Sequence, residues 1–270
     1  MTKPKTNLNF HQTFPPDEYY ISTLFEVAEQ ECPYTKEEIS DLTGIPTGKS
    51  SGKVEPFIKY AEFMGLLTDE YKDKKHLLRL TSLGKEIQEQ DIGLQEKATI
   101  YLCHSNLVSS QGASLWNSVF GEIVPQYGLK IRQLILKDSL KNIYDDMDIN
   151  MAPFNSSYGG MFKKLNVFKV DKDGIEVKLL KYKDSYIYIY AYILFKEWEN
   201  IYGEVSELTS IDLYDMQIDS KLCLSRDDFD KALDAMEYEG LIKMERVLNP
   251  FIILKLHSSE EIISKIYSRI

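Results

Sequence analysis

The spacing of apolar and polar positions changes several times along this 270-residue chain, and each change predicts an element. Tyr20, Ile21, Leu24, Phe25, Val27 and Ala28 recur at helical spacing behind Pro15-Pro16, a pair that stops any preceding helix and fixes an extended approach. Thr35-Lys36-Glu37-Glu38 is a capping-box pattern, in which hydroxyl and carboxylate satisfy each other's free backbone donors. A short helix carrying Ile39 and Leu42 follows and stops at Gly44-Ile45-Pro46. A second helix is predicted from near Ser51, with Val54, Phe57, Ile58, Ala61 and Met64 on one face and Gly65 closing it. Leu66-Leu67 then leads into a hairpin whose charged tip, Asp69 to Lys75, returns through Leu77 to Leu80. Helix, turn, helix and hairpin is the order of a winged helix.

That order returns twice. Ser156 to Leu165 reads as a short helix, followed by Val167-Phe168, a turn at Asp173-Gly174 and a strand from Ile175 to Leu180. Near the C-terminus, Ser225-Arg226-Asp227-Asp228 opens a helix through Phe229, Ala232, Leu233 and Met236, and Met244 to Leu256 makes a hairpin around Asn249-Pro250. The three closings correspond: Gly65-Leu66-Leu67, Asn166-Val167-Phe168 and Gly240-Leu241-Ile242 each place two apolar residues after a helix stop. Between the repeats lie a helical block, Gly93 to Tyr127, and the segment Tyr186 to Trp198. The latter is read as a buried helix, although its spaced aromatics also fit a strand. The expected fold is mainly α with small β-hairpins: tandem winged-helix-like modules joined by helical segments, divided as 1–92, 93–183 and 184–270.

Composition narrows the class. With 43% hydrophobic and 27% charged residues the chain is that of a folded globular protein. Its net charge of −10 argues against indiscriminate coating of nucleic acid, which draws its affinity from phosphate neutralisation. A local basic face stays open, because charges are screened beyond about 10 Å. Cys32, Cys103 and Cys223 have neither zinc-ligand spacing nor even number. The start lacks a secretory pattern, and the longest apolar run, Tyr186 to Phe195, is too short to span a bilayer. A cytoplasmic protein without membrane contact is expected.

Several stretches invite chemistry. Gly48-Lys49-Ser50 falls short of a phosphate loop, since only three residues separate Gly44 from Gly48 and Pro46 removes an amide donor. Thr47, Lys49, Ser50, Ser51 and Lys53 read better as groups gathered at the start of the second helix, suited to a phosphate or a base edge. Lys49 and Lys53 lie off the apolar face, so both are expected to be free for contact. Lys130, Arg132, Lys137 and Lys141 form a second basic stretch and Lys163-Lys164 with Lys169 a third; each also fits an ordinary solvated face. Glu176-Val177-Lys178 matches half of a metal-dependent nuclease signature, which needs a further converging carboxylate. Asp171 and Asp173 sit too near in the same hairpin turn, which leaves Asp148, and alternation of Ile175, Val177 and Leu179 is what any half-buried strand shows. His11, His76, His104 and His257 are scattered. No catalytic residue, metal site or cofactor is expected.

Phe10-His11-Gln12-Thr13-Phe14 resembles the opening motif of the family known as domain of unknown function 4007. The resemblance continues through Phe57 to Leu67, Leu115 to Phe120, Ala191 to Trp198 and Asp228 to Leu254, nearly the whole chain. The chain departs from the family pattern at Pro15 to Tyr20 and at Thr47 to Lys53. The resemblance implies an accessory component encoded beside DNA sulfur-modification and phage-defence genes, and carries no catalytic residues. The resulting expectation is a non-catalytic, double-stranded-DNA-binding accessory protein of a bacterial DNA modification (phosphorothioation-type) or phage-defence system, compatible with homo-oligomers. The alternatives are an adaptor that holds the protein components of such a complex without touching DNA and, as the outlier, a nuclease using Glu176 and Lys178.

Overall fold

The computed structural model describes residues 7–48, 52–145, 147–247 and 249–270, and is mostly helical with small antiparallel sheets. In chain order, the first segment runs α1 (Glu18–Glu29), β1 (Pro33–Tyr34), α2 (Lys36–Thr43), α3 (Val54–Phe63), β2 (Leu67–Lys72), β3 (Lys75–Leu80) and α4 (Ser82–Asp91). Then come α5 (Lys97–Leu107), α6 (Ser114–Ser118), a π-helical turn over Val119–Ile123, α7 (Val124–Tyr127), β4 (Lys130–Arg132), α8 (Gln133–Ile143), α9 (Ala152–Ser157), a 3-10 turn over Met161–Leu165, β5 (Phe168–Val170) and β6 (Gly174–Val177). The last third carries α10 (Ile187–Tyr202), β7 (Glu207–Thr209), α11 (Ser210–Asp215), α12 (Ile218–Lys221), α13 (Arg226–Tyr238), β8 (Ile242–Glu245), β9 (Ile252–Lys255) and α14 (Ser259–Ile263).

Each of the three sheets has the strand order first, third, second: β1-β3-β2, β4-β6-β5 and β7-β9-β8. In each, a short strand pairs with the returning arm of a later hairpin, so one chain pattern produces one topology three times. The first and third copies share their capping and closing contacts, although the third carries an additional short helix, α12. A capping box stands at Thr35, just after β1, and another at Thr209, the last residue of β7. The helix before the hairpin closes at Gly65 (φ +75°) and Gly240 (φ +71°), where left-handed backbone suits glycine. The next amide bonds back five residues, Leu66 to Ala61 and Leu241 to Met236, both at 2.9 Å. Glu62 accepts the amide of Asp69 and Glu237 that of Met244, each seven residues on. The middle copy closes on a left-handed Asn166 instead.

Several local expectations are corrected. Ser156 to Leu165 is not one helix: α9 ends at Ser157 and, after Gly159-Gly160, the chain resumes as a 3-10 turn. Two glycines in succession make continuation of the helix unfavourable. The turn of the second hairpin lies over 171–173, where the Asp171 carboxylate accepts the amides of Asp173 (2.9 Å) and Gly174 (3.1 Å). Gly174 already belongs to β6, and a Cβ there would lie 2.0 Å from the Ile131 carbonyl oxygen of β4, so its glycine serves strand approach. Within the described residues α3 begins at Val54, and Ser51 lies outside them. The segment from Ile187 to Trp198 does form a helix, within α10, buried on more than one face, as at Ile189, Tyr190, Ala191, Tyr192 and Ile193, while Tyr186 ends a 3-10 turn before it. All-round burial removes the alternation of a half-exposed strand, and helical backbone satisfies its own polar groups.

Contacts gather the chain into two compact units: residues 1–107, 112–115 and 148–166 in unit 1, and residues 108–111, 116–147 and 167–270 in unit 2. In unit 1, Ile21, Leu24 and Phe25 of α1 are buried in a core that α2, α3 and β3 complete. In unit 2, α10 packs against α13 and α14, and Trp198 donates its indole N–H to the Val205 carbonyl at 2.7 Å. Among the described residues no helix is long and apolar enough to cross a membrane.

Candidate nucleic-acid interface

The start of α3 joins two features that lie far apart in the sequence. Lys53 is its N-cap residue, and a lysine side chain carries no acceptor for the first-turn amides. The Lys53 ammonium lies 5.5 Å over the Phe14 ring and 5.1 Å over that of Tyr20. Lys53 is thus not the freely extended lysine expected from its place off the apolar face. Two aromatic faces hold it by cation–π attraction. The Lys53 amide closes the preceding loop on Pro46 at 2.8 Å. Thr47 Oγ1 is shielded from solvent without a hydrogen-bond partner, and a Cβ on Gly52 would come within 2.7 Å of it. Glycine at that position keeps the hydroxyl and the neighbouring Gly48 amide close to the helix start. Glu55 in the first turn is exposed. Lys49, Ser50 and Ser51 lie outside the described residues.

The opening motif braces this site. Phe10 packs edge-on against Tyr60 and Phe63 of α3, with ring centroids 4.8 and 4.9 Å apart. The Tyr60 hydroxyl donates to the Phe14 carbonyl at 3.1 Å, tying the motif's last residue to the helix that Lys53 caps. His11 is fully buried, its Nδ1 3.2 Å from the Gln12 carbonyl, and burial pushes its pKa below the ordinary histidine value. Gln12 and Thr13 face solvent, and the Gln12 carbonyl accepts from Asn150 Nδ2 at 2.7 Å. The motif therefore positions Phe14, and through it Lys53.

The other basic stretches are less concentrated. Lys163 and Lys164 are exposed in unit 1, and Lys164 Nζ donates to the Gln95 carbonyl at 2.8 Å. Lys130 and Arg132 belong to unit 2 and line a groove of about 180 Å³ together with Asp171, Asp173 and Glu176. Lys130 spends its charge on Glu176 at 3.1 Å. Asp171 and Asp173, set aside on sequence distance, do reach the groove of Glu176, but Asp171 is committed to capping its turn. Among the described residues no three histidine, cysteine or acidic side chains are arranged to hold a metal ion. Asp148 belongs to unit 1, where its carbonyl accepts from Asn9 Nδ2.

Three features escaped the sequence reading. The hairpin tip, seen there only as charged, is a two-residue turn at Asp73-Lys74 with Lys72, Lys74 and Lys75 all exposed. The second is a buried ion pair in unit 2. Glu197 accepts from Lys221 Nζ at 2.5 Å and from the amide and hydroxyl of Ser110 at 3.0 and 3.1 Å. The third is His104, buried in unit 1 with Nε2 3.0 Å from the Tyr158 hydroxyl; burial lowers its pKa to about 3.

No protein-family model matches the chain, and no curated protein is similar to it in sequence. Its fold is similar to that of two solved structures. A crystal structure of SspB superposes with a TM-score of 0.74 and one of magnesium-ion-bound SspB with 0.72. Each is 12% identical in sequence and covers 97% of this chain and 86% of the SspB chain. At that identity the likeness speaks for fold.

Proposed function

We propose that the protein is a non-catalytic, DNA-binding accessory component of a DNA modification (phosphorothioation-type) or phage-defence system, built from three winged-helix-like modules. The first module docks on duplex DNA through the start of α3. The observation that carries the reading is Lys53, the N-cap residue of α3, held over Phe14 and Tyr20, with an unpartnered hydroxyl on Thr47. A cation held at the N-cap of a helix suits a phosphate. The resemblance to domain of unknown function 4007 supports the setting, and the threefold element order supports the module type.

A gel-shift titration against duplex DNA over a salt series tests it. Binding is expected to weaken as salt rises, and Lys53→Gln should flatten the logarithmic salt slope by roughly one unit. The loss should be about equal across DNA sequences, because phosphate contacts position without reading bases. Since Lys53 packs on two rings, a thermal melt of the variant must accompany the titration. Absence of binding by the parent at low salt sinks the reading.

The adaptor alternative then takes over, and the third module favours it. There Tyr238 is 89% and Val247 97% exposed, and Asp227 is exposed on α13, a surface better suited to protein than to phosphate. For nuclease chemistry we expect a null result: the purified protein with magnesium or manganese leaves duplex DNA intact. Cleavage that Glu176→Ala and Lys178→Ala abolish would reverse this.

A further inference from the structure

We infer that the outer edge of β4 (Lys130–Arg132) docks an extended, acidic segment of a partner protein, which joins the second sheet as an added strand. The site lies wholly within unit 2 and does not depend on the reading of the first module as DNA-binding.

The case starts from three corresponding edges. β1, β4 and β7 each lie at the edge of their sheet and each runs into a helix. An open edge presents unpaired backbone groups to other chains, and folded proteins ordinarily close it. In the first sheet Pro33 has no N–H, and the amide of the N-cap Thr35 donates to the Glu38 carboxylate at 2.7 Å. In the third, the amide of the N-cap Thr209 donates to Asp212 at 3.2 Å. The corresponding N-cap in the second sheet is Arg132, and the residue three places on is Ile135, whose side chain has no acceptor. Val177 donates to the Leu129 carbonyl at 2.8 Å and Gln133 to that of Asp173 at 2.9 Å, so the odd-numbered residues here turn their backbone groups towards β6. Those of Lys130 and Arg132 point the other way, and among the described residues no acceptor meets the Arg132 amide.

Charge decides what fits that edge. Lys130 and Arg132 are exposed on one face of β4, while Leu129 and the buried Ile131 lie on the other. On α8, Leu134 is 69% exposed and Lys137, its neighbour on the helix surface, is exposed too. Two carboxylates of the adjoining hairpin are engaged, Glu176 with Lys130 at 3.1 Å and Asp171 with the amides of its own turn. A second copy of this chain is a poor occupant, because antiparallel pairing of two β4 edges sets cationic side chains against each other. Duplex DNA has no N–H and C=O array to continue the ladder. An extended peptide has both, and one that alternates acidic with apolar side chains matches the two faces of β4.

The probe is a labelled peptide of alternating glutamate and valine, titrated against the full chain by fluorescence anisotropy, and saturable binding is expected. With glutamates opposite Lys130 and Arg132, the glutamate amides face β4 and the valine amides face away. N-methylation of the glutamate amides should therefore weaken binding about tenfold or more, and N-methylation of the valine amides should change it little. On the protein side, Arg132→Gln removes the charge and keeps the amide, whereas Arg132→Pro removes both. The native φ of −64° is that of proline, so the fold should persist, which a thermal melt checks. Arg132→Pro is expected to bind about tenfold more weakly than Arg132→Gln. If Arg132→Pro melts low, the two methylated peptides decide on the unaltered protein. Equal loss with both methylated peptides, equal affinity of two folded variants, or no binding by the parent overturns the inference. So does binding of duplex DNA that Arg132→Gln weakens when the peptide is not bound. Lys53→Gln should leave peptide affinity unchanged, so failure of this site and failure of the first-module reading are told apart.

Discussion

Replacing Glu197 by alanine is expected to destabilise unit 2 by about 3–5 kcal/mol, the largest effect of any single change considered for this protein. The side chains of Glu197 and Lys221 are 1% and 8% exposed, so neither charge is relieved by water. Removing the carboxylate strands the Lys221 ammonium and leaves the Ser110 amide and hydroxyl without their acceptor. A buried pair contributes little net stability when intact, because desolvation offsets most of the attraction. The cost of breaking it is therefore the cost of an uncompensated charge. The double variant with Lys221→Met should recover much of the loss, as an apolar side chain carries no such penalty. Chemical denaturation of the single and double variants measures this. A double variant no more stable than Glu197→Ala would show that the Ser110 contacts, and not the stranded charge, dominate.

The second large effect is a loss of stability in mild acid traceable to His104. In the unfolded chain this imidazole takes up a proton below about pH 6.5. In the folded protein it does so only near pH 3, because its charged form would be buried among Tyr158 and Phe162. The unfolded state thus binds the extra proton throughout that window, and stability falls as pH drops from 6.5 towards 3. The slope is about 1.4 kcal/mol per pH unit, and the full loss is on the order of 4–5 kcal/mol. His11 adds to the loss in the same direction. His104→Gln keeps a polar group able to meet the Tyr158 hydroxyl and removes the titration. The variant should be less stable at neutral pH, with a flatter dependence between pH 6.5 and 4. Equal slopes in parent and variant would rule out His104 as the source.

Much of the architecture was legible because its signals are local. Capping boxes, glycine stops and turn residues act within a few positions, and the periodic burial of α1, α3 and α13 follows from spacing alone. The three closings at Gly65, Asn166 and Gly240 could be read for the same reason. Where two local signals competed, at Tyr186 to Trp198, helix prevailed because that segment is buried all round, a fact held by its neighbours rather than by its spacing. At Gly159-Gly160 a break in helical propensity outweighed an apolar pattern that continued across it.

The chemistry was less legible, because side chains meet across distances no pattern records. The sequence by itself determined the hairpins, the capping boxes and helix stops, the basic stretches and the absence of metal-ligand spacing among the cysteines, but not the short strands β1, β4 and β7 that complete the sheets. Tertiary structure alone brought Phe14 to Lys53, Glu197 to Lys221 across 24 positions, and His104 to Tyr158 across 54. It also decided which lysines lie beside a neutralising group. Lys130 faces Glu176 and Lys164 is drawn to Gln95, whereas Lys72 and Lys75 face each other. Charge is written in the residues, but whether it is neutralised depends on what lies within a few ångströms in the folded chain.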